Sequence, residues 1–568
     1  MPTMPSMRIA LAQINPTVGD IAANTRCILD NIARAKAAGA EVVVFPELAV
    51  TGYPPKDLLQ KPQFVDDNLA AVDAIAKQVQ GIEVVLGYAD RNTGPVGRSL
   101  HNAAAVLRDG RVASRHFKTL LPTYDVFDEA RYFEPGPAEQ RNQIVQIGGM
   151  PVGLSICEDL WNDERLISRR LYHQNPIADL GAAGAKVMIN CSASPFVVGK
   201  HEFRIKLFGE QARACGTPLV YVNQVGGNDE LVFDGCSMVI DGQGNVIGQA
   251  KDFEEDLLIV DLEPGGSASA PARKEEHAVG LESIYNALVL GLRDYARKCG
   301  FKSVVLGLSG GIDSALVCAI AAAAVGPDRV TGVAMPSRYS SGHSVDDARK
   351  LAENLGIQFH VVPIGQGHDA FEQMLAGPFT GTSPDLTEEN IQARLRGVTL
   401  MAFSNKFGSL LLTTGNKSEV AVGYSTLYGD MCGGLAVISD VPKTTVWELS
   451  RWINTHAGRE IIPRNSIEKV PSAELRPDQH DQQSLPPYDV LDGIIYRLIE
   501  EDKSIRQIIE DGFDPETVLK VTRLIDRSEY KRRQAAPGLK VTSRAFGVGR
   551  RMPIAQNYQQ TIPTSAQV

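Results

Sequence analysis

Ser303-Val-Val-Leu-Gly307-Leu308-Ser309-Gly310-Gly311-Ile312-Asp313-Ser314, followed by Ala-Leu-Val-Cys-Ala-Ile and a run of alanines, reads as a buried strand, a tight glycine-rich turn and a helix. Without side chains at Gly310 and Gly311, backbone N–H groups can close on phosphate oxygens. Ser309 and Ser314 add hydroxyl donors, and the helix N-terminus adds partial positive charge. Asp313 would repel phosphate unless a cation lay between them, so the loop predicts Mg2+ and a nucleotide. The two commoner glycine-rich patterns, GxGxxG and GxxxxGK followed by Ser or Thr, are absent here.

This stretch resembles the SGGxDS pyrophosphate loop of the ATP pyrophosphatase superfamily, whose members release pyrophosphate from ATP by adenylating a carboxylate or carbonyl oxygen. The bulk numbers are compatible with such an enzyme. A chain of 568 residues is too long for one core and predicts about two to four domains. Its longest apolar run, residues 315–325, is far short of a membrane span, and the first residues lack a charged-then-apolar secretory pattern. Eight cysteines without a CxxC pair predict neither a disulfide framework nor a zinc site, which fits a reduced cytoplasm. A net charge of -10 argues against a nucleic-acid partner, so small-molecule substrates and no membrane are expected.

Residues 7–263 alternate strand-like and helix-like segments, and residues 264–276, beginning Pro264-Gly-Gly-Ser-Ala-Ser-Ala-Pro, read as a linker. Domains at 1–263 and 277–568 follow. Three strands of the first domain end in chemically able side chains. Residues 41–45 run into Pro46-Glu47, a hairpin of residues 102–107 and 112–117 across Asp109-Gly110 runs into Lys118, and residues 151–156 run into Cys157.

Phe45-Pro-Glu47-x-x-x-Thr-Gly-Tyr, Phe117-Lys118-x-x-Leu-Pro and Ile156-Cys157-Glu158-Asp-x-Trp together resemble the nitrilase (carbon–nitrogen hydrolase) superfamily over about residues 5–263. The resemblance implies an αββα sandwich with Cys157 as nucleophile, Glu47 as base and Lys118 as stabiliser of thiolate and oxyanion. The chemistry suits those residue types: a thiol must lose its proton to attack an amide, and a carboxylate can take it and pass it to departing ammonia. An ammonium helps both charged states. Likeness to the glutaminase branch implies that Tyr124, Ser194 and Lys200 hold the amino-acid end of glutamine, and that Glu129 orients Lys118 or the thiol.

The second half repeats strand and helix, as in doubly wound (Rossmann-like) parallel sheets. Residues 409–414 read as a strand leading into Thr414-Gly-Asn-Lys-Ser-Glu419, so Asp313 and Glu419 are two carboxylates at strand mouths, which suits a phosphate-bridging Mg2+. That motif, Gly423-Tyr-Ser-Thr-Leu-Tyr-Gly-Asp430-Met-Cys-Gly-Gly and Glu529-Tyr-Lys531-Arg-Arg-Gln resemble the NAD synthetase branch, and the whole chain resembles the glutamine-dependent NAD synthetase family. The resemblance implies that Gly307, Leu308, Ser309, Gly310, Gly311, Ile312, Asp313, Ser314 and Thr414 bind ATP as co-substrate. It further implies that Asp313 and Glu419 hold magnesium, and that Asn390, Glu419, Asp430 and Lys531 contact deamido-NAD. A homo-oligomer is implied by resemblance alone.

By the same resemblance a nicotinate carboxylate is adenylated and then amidated by ammonia released at Cys157 along an enclosed path. A GMP synthetase would carry a Cys-His-Glu glutaminase instead. Residues 379–386 and 471–487, long and polar, are expected to be substrate-gated lids or disordered segments.

Overall fold

The computed structural model describes residues 6–166, 170–263, 272–340, 342–472, 474–476, 479–558 and 560–561. The chain folds as two compact units, Met1–Ser283 and Ile284–Val568. Of the expected linker 264–276, residues 264–271 lie outside the described residues.

The strands of the first unit are β1 (Met7–Gln13), β2 (Val42–Val44), β3 (Glu83–Arg91), β4 (Leu100–Arg108), β5 (Arg111–Phe117), β6 (Ile144–Ile147) and β7 (Met150–Ile156). They continue as β8 (Val187–Ser192), β9 (Leu219–Asn223), β10 (Val225–Asn228), β11 (Leu231–Asp234), β12 (Met238–Ile240), β13 (Val246–Gln249) and β14 (Asp256–Leu262). Helices α1 (Ile21–Ala37), α2 (Pro62–Gln78), α3 (Pro176–Ala182) and α4 (Lys200–Cys215) lie between them in sequence. Two six-stranded sheets result, ordered β14-β1-β2-β3-β4-β5 and β13-β12-β9-β8-β7-β6, with β10 and β11 as a separate hairpin.

Side chains alternate between the faces of a strand, so each sheet offers two apolar surfaces. Ile9, Leu11, Val42 and Val44 pack with Val152, Leu154, Ile156, Val187 and Ile189 between the sheets. On the far face of the first sheet Ala10, Val43 and Phe45 meet Ile28 and Ile32 of α1 and Val72 and Ile75 of α2. On the far face of the second, Met188, Leu219 and Tyr221 meet Ile177 and Leu180 of α3 and Leu207 and Phe208 of α4. The expected αββα sandwich is therefore present. Helix α4 has no readable apolar stripe because it buries His201, Arg204 and Gln211 alongside Leu207 and Phe208.

In the second unit β15 (Val304–Gly307), β16 (Val330–Ala334), β17 (Gln358–Val361), β18 (Leu410–Thr413) and β19 (Leu435–Ala436) form one parallel sheet in the order β17-β16-β15-β18-β19. The helices of this half are α5 (Gly280–Lys298), α6 (Ile312–Val325), α7 (Gly342–Leu355), α8 (Gly365–Leu375), α9 (Leu386–Phe407), α10 (Lys417–Val422) and α11 (Lys443–His456). The first strand in sequence is central and successive strands extend to either side, the doubly wound arrangement. Its switch point lies between β15 and β18, where the loops bearing Ser309 and Glu419 begin.

Helices Tyr488–Ile495, Ile505–Glu510 and Pro515–Arg527 close a further core with α10 through Val422, Leu491, Ile494, Ile508, Val518 and Ile525. The sequence reading assigned no elements there, since two of these helices have only 8 and 6 residues, too few for periodicity to mark them. The two expected lids differ. Asp385, in the first, caps α9 through a reciprocal box with Glu388. In the second, residues 473, 477 and 478 lie outside the described residues, while Glu474 accepts hydrogen bonds from Lys469 Nζ at 2.6 Å and Ser344 Oγ at 2.8 Å.

Candidate active sites

In the first unit the polar residues at the ends of β2, β5 and β7 meet in the interior. Lys118 is fully buried, and its ammonium donates to Glu47 Oε1 at 2.7 Å and to both oxygens of Glu129 at 2.8 and 2.9 Å. Asn102 Nδ2 donates to Glu47 at 2.6 Å and to Glu129 at 3.3 Å, Tyr53 donates its hydroxyl to Glu129 at 2.9 Å, and the Ala193 N–H donates to Glu47 Oε2 at 3.0 Å. Burial alone would strip the proton from Lys118, but Glu129 and Glu47 outweigh it and hold the ammonium charged well above the usual lysine range. Burial pushes Glu129 up, with Lys118 opposing and Glu47 adding.

Cys157 begins a 3-10 turn directly after β7, in left-handed backbone at φ 42°, a strained elbow that presents its side chain. Asp159 locks that elbow: its carboxylate accepts from the N–H groups of Ile156, Thr119 and Leu120 at 2.9, 3.1 and 2.8 Å. One buried side chain thus ties the Cys157 turn to the segment after Lys118. Burial, and then the charge of Glu47, raise the Cys157 pKa while Lys118 pulls it down, so the resting group is a thiol with Glu47 and Lys118 in electrostatic reach.

The residues expected to hold glutamine surround this centre in different ways. Tyr124 donates its hydroxyl to both oxygens of Glu158 at 3.0 Å. Ser194 is buried, and its carbonyl and hydroxyl oxygens accept from Arg204 Nη2 at 2.9 and 3.2 Å. Lys200 opens α4 rather than lying in a loop; its ammonium donates to the Pro195 carbonyl at 3.0 Å and sits 5.0 Å over the Trp161 ring.

In the second unit the loop Gly307–Ser314 lies at the C-terminal end of β15. Gly310 has φ 77°, and a Cβ there would come within 2.3 Å of the Ser344 carbonyl oxygen, so only glycine fits. Ser309 and Ser314 hydroxyls are 3.1 Å apart, and the Gly311 N–H donates to Ser309 Oγ at 3.2 Å. Leu308 and Ile312 are buried in the core, so only their backbones could reach a ligand. Thr414 follows β18 directly and is half-buried.

Across the switch point, Asp313 and Glu419 face one ammonium, that of buried Lys443, which contacts Asp313 closely and stands 3.7 Å from Glu419. Asn416 Nδ2 also donates to Asp313 Oδ1 at 2.9 Å. Burial, and then the Asp313 charge, push the Glu419 carboxyl up to about 8 despite Lys443. Two carboxylates that repel each other and are incompletely balanced by one lysine suit a divalent cation, so these side chains fit Mg2+. Sequence gave no hint of Lys443: a lysine after Pro442 at a helix start reads as solvated, and only the tertiary fold buries it.

Asn390, Asp430 and Lys531 converge on the loop 423–430. Asn390 Oδ1 accepts from the Thr426 hydroxyl at 2.8 Å, Asp430 accepts from the Thr426 N–H at 2.6 Å, and Lys531 donates to the carbonyls of Gly423 and Ser425, both at 2.7 Å. Lys531 lies on a short helix, Glu529–Arg532, rather than on a loose tail. Glu419 turns its side chain toward Lys443, while its carbonyl accepts from the N–H groups of Gly423 and Tyr424 at the start of the same loop.

Comparison with known proteins identifies the families of both halves. Residues 8–272 match the carbon-nitrogen hydrolase family and residues 284–535 the NAD synthase family. A glutamine-dependent NAD(+) synthetase of Synechocystis sp. is 48% identical over 558 residues, spanning 97% of this chain and 99% of that one. One of Thermotoga maritima is 44% identical over 594 residues, spanning 98% and 100%. The solved structure of the Acinetobacter baumannii glutamine-dependent NAD+ synthetase in complex with ADP superimposes with a TM-score of 0.77 at 42% identity, covering 97% of this chain and 98% of that one. With a nitrilase-like sandwich and a doubly wound synthase sheet in one chain, and similarity running through both, the protein belongs to the glutamine-dependent NAD(+) synthetase family, ligases that use glutamine.

Proposed function

We propose that the first unit hydrolyses glutamine at Cys157 and that the second adenylates deamido-NAD and passes the ammonia to it. The observation that carries the first half is the buried Lys118 ammonium shared by Glu47 and Glu129 beside the Cys157 elbow. Glu47 takes the thiol proton as sulfur attacks the amide carbonyl, and returns it to the leaving nitrogen, giving ammonia and a thioester. Lys118, held charged by two carboxylates, stabilises the thiolate and then the oxyanion. Glu129 positions Lys118. Water, activated by Glu47, hydrolyses the thioester to glutamate.

In the second unit Ser309, Ser314, Thr414 and the backbone of the Gly307–Ser314 loop cradle the phosphates of ATP. A Mg2+ ion held by Asp313 and Glu419 would neutralise phosphate charge there. The nicotinate carboxylate attacks the α-phosphorus, pyrophosphate leaves, and ammonia displaces AMP from the adenylate to give NAD. Adenylation is needed because a free carboxylate is a poor electrophile. Asn390, Asp430 and Lys531 contact deamido-NAD, with Glu419 at its edge. Ammonia free in neutral water would be mostly protonated, so an enclosed route joins the two reactions. We further propose domains at 1–263 and 277–568, a homo-oligomer and a cytoplasmic location.

The test is NAD formation from deamido-NAD and Mg-ATP with either nitrogen source. Wild type is expected to use glutamine and ammonium, and Cys157→Ala ammonium only. Loss of both activities in a folded Cys157→Ala protein would overturn the separation of the two sites.

A further inference from the structure

One neutral residue touches every member of the buried ion cluster in the first unit. Asn102 stands in β4, and by strand alternation it shares the face that carries Ala104 and Val106 into the core between the sheets. It is fully buried, and an amide is costly there. Its Nδ2 donates to Glu47 Oε1 at 2.6 Å and to Glu129 Oε2 at 3.3 Å, while its backbone carbonyl accepts from the Lys118 N–H at 2.8 Å. Its own Oδ1 is buried and, among the described residues, has no hydrogen-bond partner. Stability alone is poorly served by a bare acceptor in the core.

Two carboxylates around one ammonium repel each other, and together with burial this favours protonation of one of them. A proton resting on Glu47 would block it as a base. The amide lies closer to Glu47 than to Glu129, so it favours negative charge on Glu47 and leaves Glu129 the better place for the proton. A carboxamide also has no acid proton of its own to exchange with the thiol. We propose that Asn102 is a positioning residue for amide cleavage, holding the two carboxylates on one amide and keeping Glu47 ionised, ready to take the Cys157 proton. That proton passes from sulfur to Glu47 and on to the leaving nitrogen, and Asn102 gains and loses none. The proposal rests on the reading of Cys157 as the glutaminase nucleophile.

The titratable groups around the two carboxylates are Lys118 after β5, Tyr53 after β2, Cys157 and Glu158 after β7, Cys191 on β8 and Tyr172. All of them remain when Asn102 is changed. Removing the amide takes a donor from the charged carboxylates, so their shared ionisation moves to higher pH, and with it the activity that needs an ionised base.

The experiment measures ammonia release from glutamine by the full chain as a function of pH. Asn102→Leu keeps the volume and removes both donors. Its kcat at pH 7 is expected to fall about 30-fold with KM within about twofold, and the acid limb of the kcat profile to move up by about one pH unit. An unshifted limb, with or without a fall in kcat, would overturn the proposal and make Asn102 a packing residue. A loss carried by KM would overturn it in favour of a contact with substrate. Asn102→Ser, smaller and with one hydroxyl donor, carries the test if Asn102→Leu fails to fold; its limb is expected to move by about half a unit in the same direction, and an unmoved limb would again overturn the proposal. Release of ammonia by Cys157→Ala at the wild-type rate would instead overturn the glutaminase reading beneath it.

Discussion

Replacing Lys118 by Met removes the cation shared by two buried carboxylates and keeps most of the side-chain volume. Each contact, at 2.7 and 2.8 Å, is a gross attraction of about 6 kcal/mol at an effective dielectric constant near 20. The net loss is smaller because a carboxyl can take up a proton, and deleting one partner of a buried ion pair typically destabilises by about 3–5 kcal/mol. Adding Glu129→Gln leaves only Glu47 charged, so the double variant is expected to recover about 2 kcal/mol of that loss. The three tryptophans divide favourably: Trp161 is in the first unit, Trp447 and Trp452 in the second. In a Trp447→Phe, Trp452→Phe background, urea unfolding followed by Trp161 fluorescence reports the first unit alone. The pH dependence has a definite sign. Burial already raises Glu129 above its unfolded value near 4.3, and Lys118 is what opposes it. Without Lys118 the folded-state pKa rises further, so the protonated carboxyl favours the fold at low pH, and that stability is lost as pH rises toward the new pKa. The deficit of Lys118→Met against wild type should therefore shrink on acidification from pH 8 to 5. A deficit below about 1 kcal/mol, or additive effects of the two substitutions, would refute the charge balance inferred here.

Because Glu419 is pushed up to about 8 and a divalent ion takes the ionised form, Mg2+ affinity should rise with pH to about 8 and then level off, with proton release measurable by calorimetry in buffers of different ionisation enthalpy. Lys443→Met should move that inflection to higher pH. Gly310→Ala should abolish synthesis with either nitrogen source, since it adds about 1–2 kcal/mol of left-handed strain to a backbone collision with Ser344; NAD assay and thermal unfolding of the folded variant check it. Asp159→Ala leaves three backbone N–H groups without their acceptor and should lower first-unit stability by about 3 kcal/mol, read by the same Trp161 fluorescence.

Strand ends were legible in the sequence because β2, β7, β15 and β18 are predominantly apolar runs that give way at Pro46, Cys157, Ser309 and Thr414. Glycine-rich and carboxylate motifs at those stops are local signals, and they pointed to both candidate sites. Helix α4 and the short C-terminal helices were not legible, because buried polar residues or brevity removed the period.

What sequence by itself pointed to was the layer type, through resemblance to known families, and the glycine-rich loop and the candidate Glu47, Lys118 and Cys157 set, whose residues stand at the ends of strongly patterned segments. Only the tertiary structure decided which charges share a partner. Glu129 joins Glu47 on Lys118, Lys443 stands between Asp313 and Glu419, and Tyr172 joins Tyr124 on Glu158. Those partners lie 11 to 130 residues apart in the chain, and no local period encodes such a distance. Burial then sets their pKa values, because the interior screens charge far less than water does.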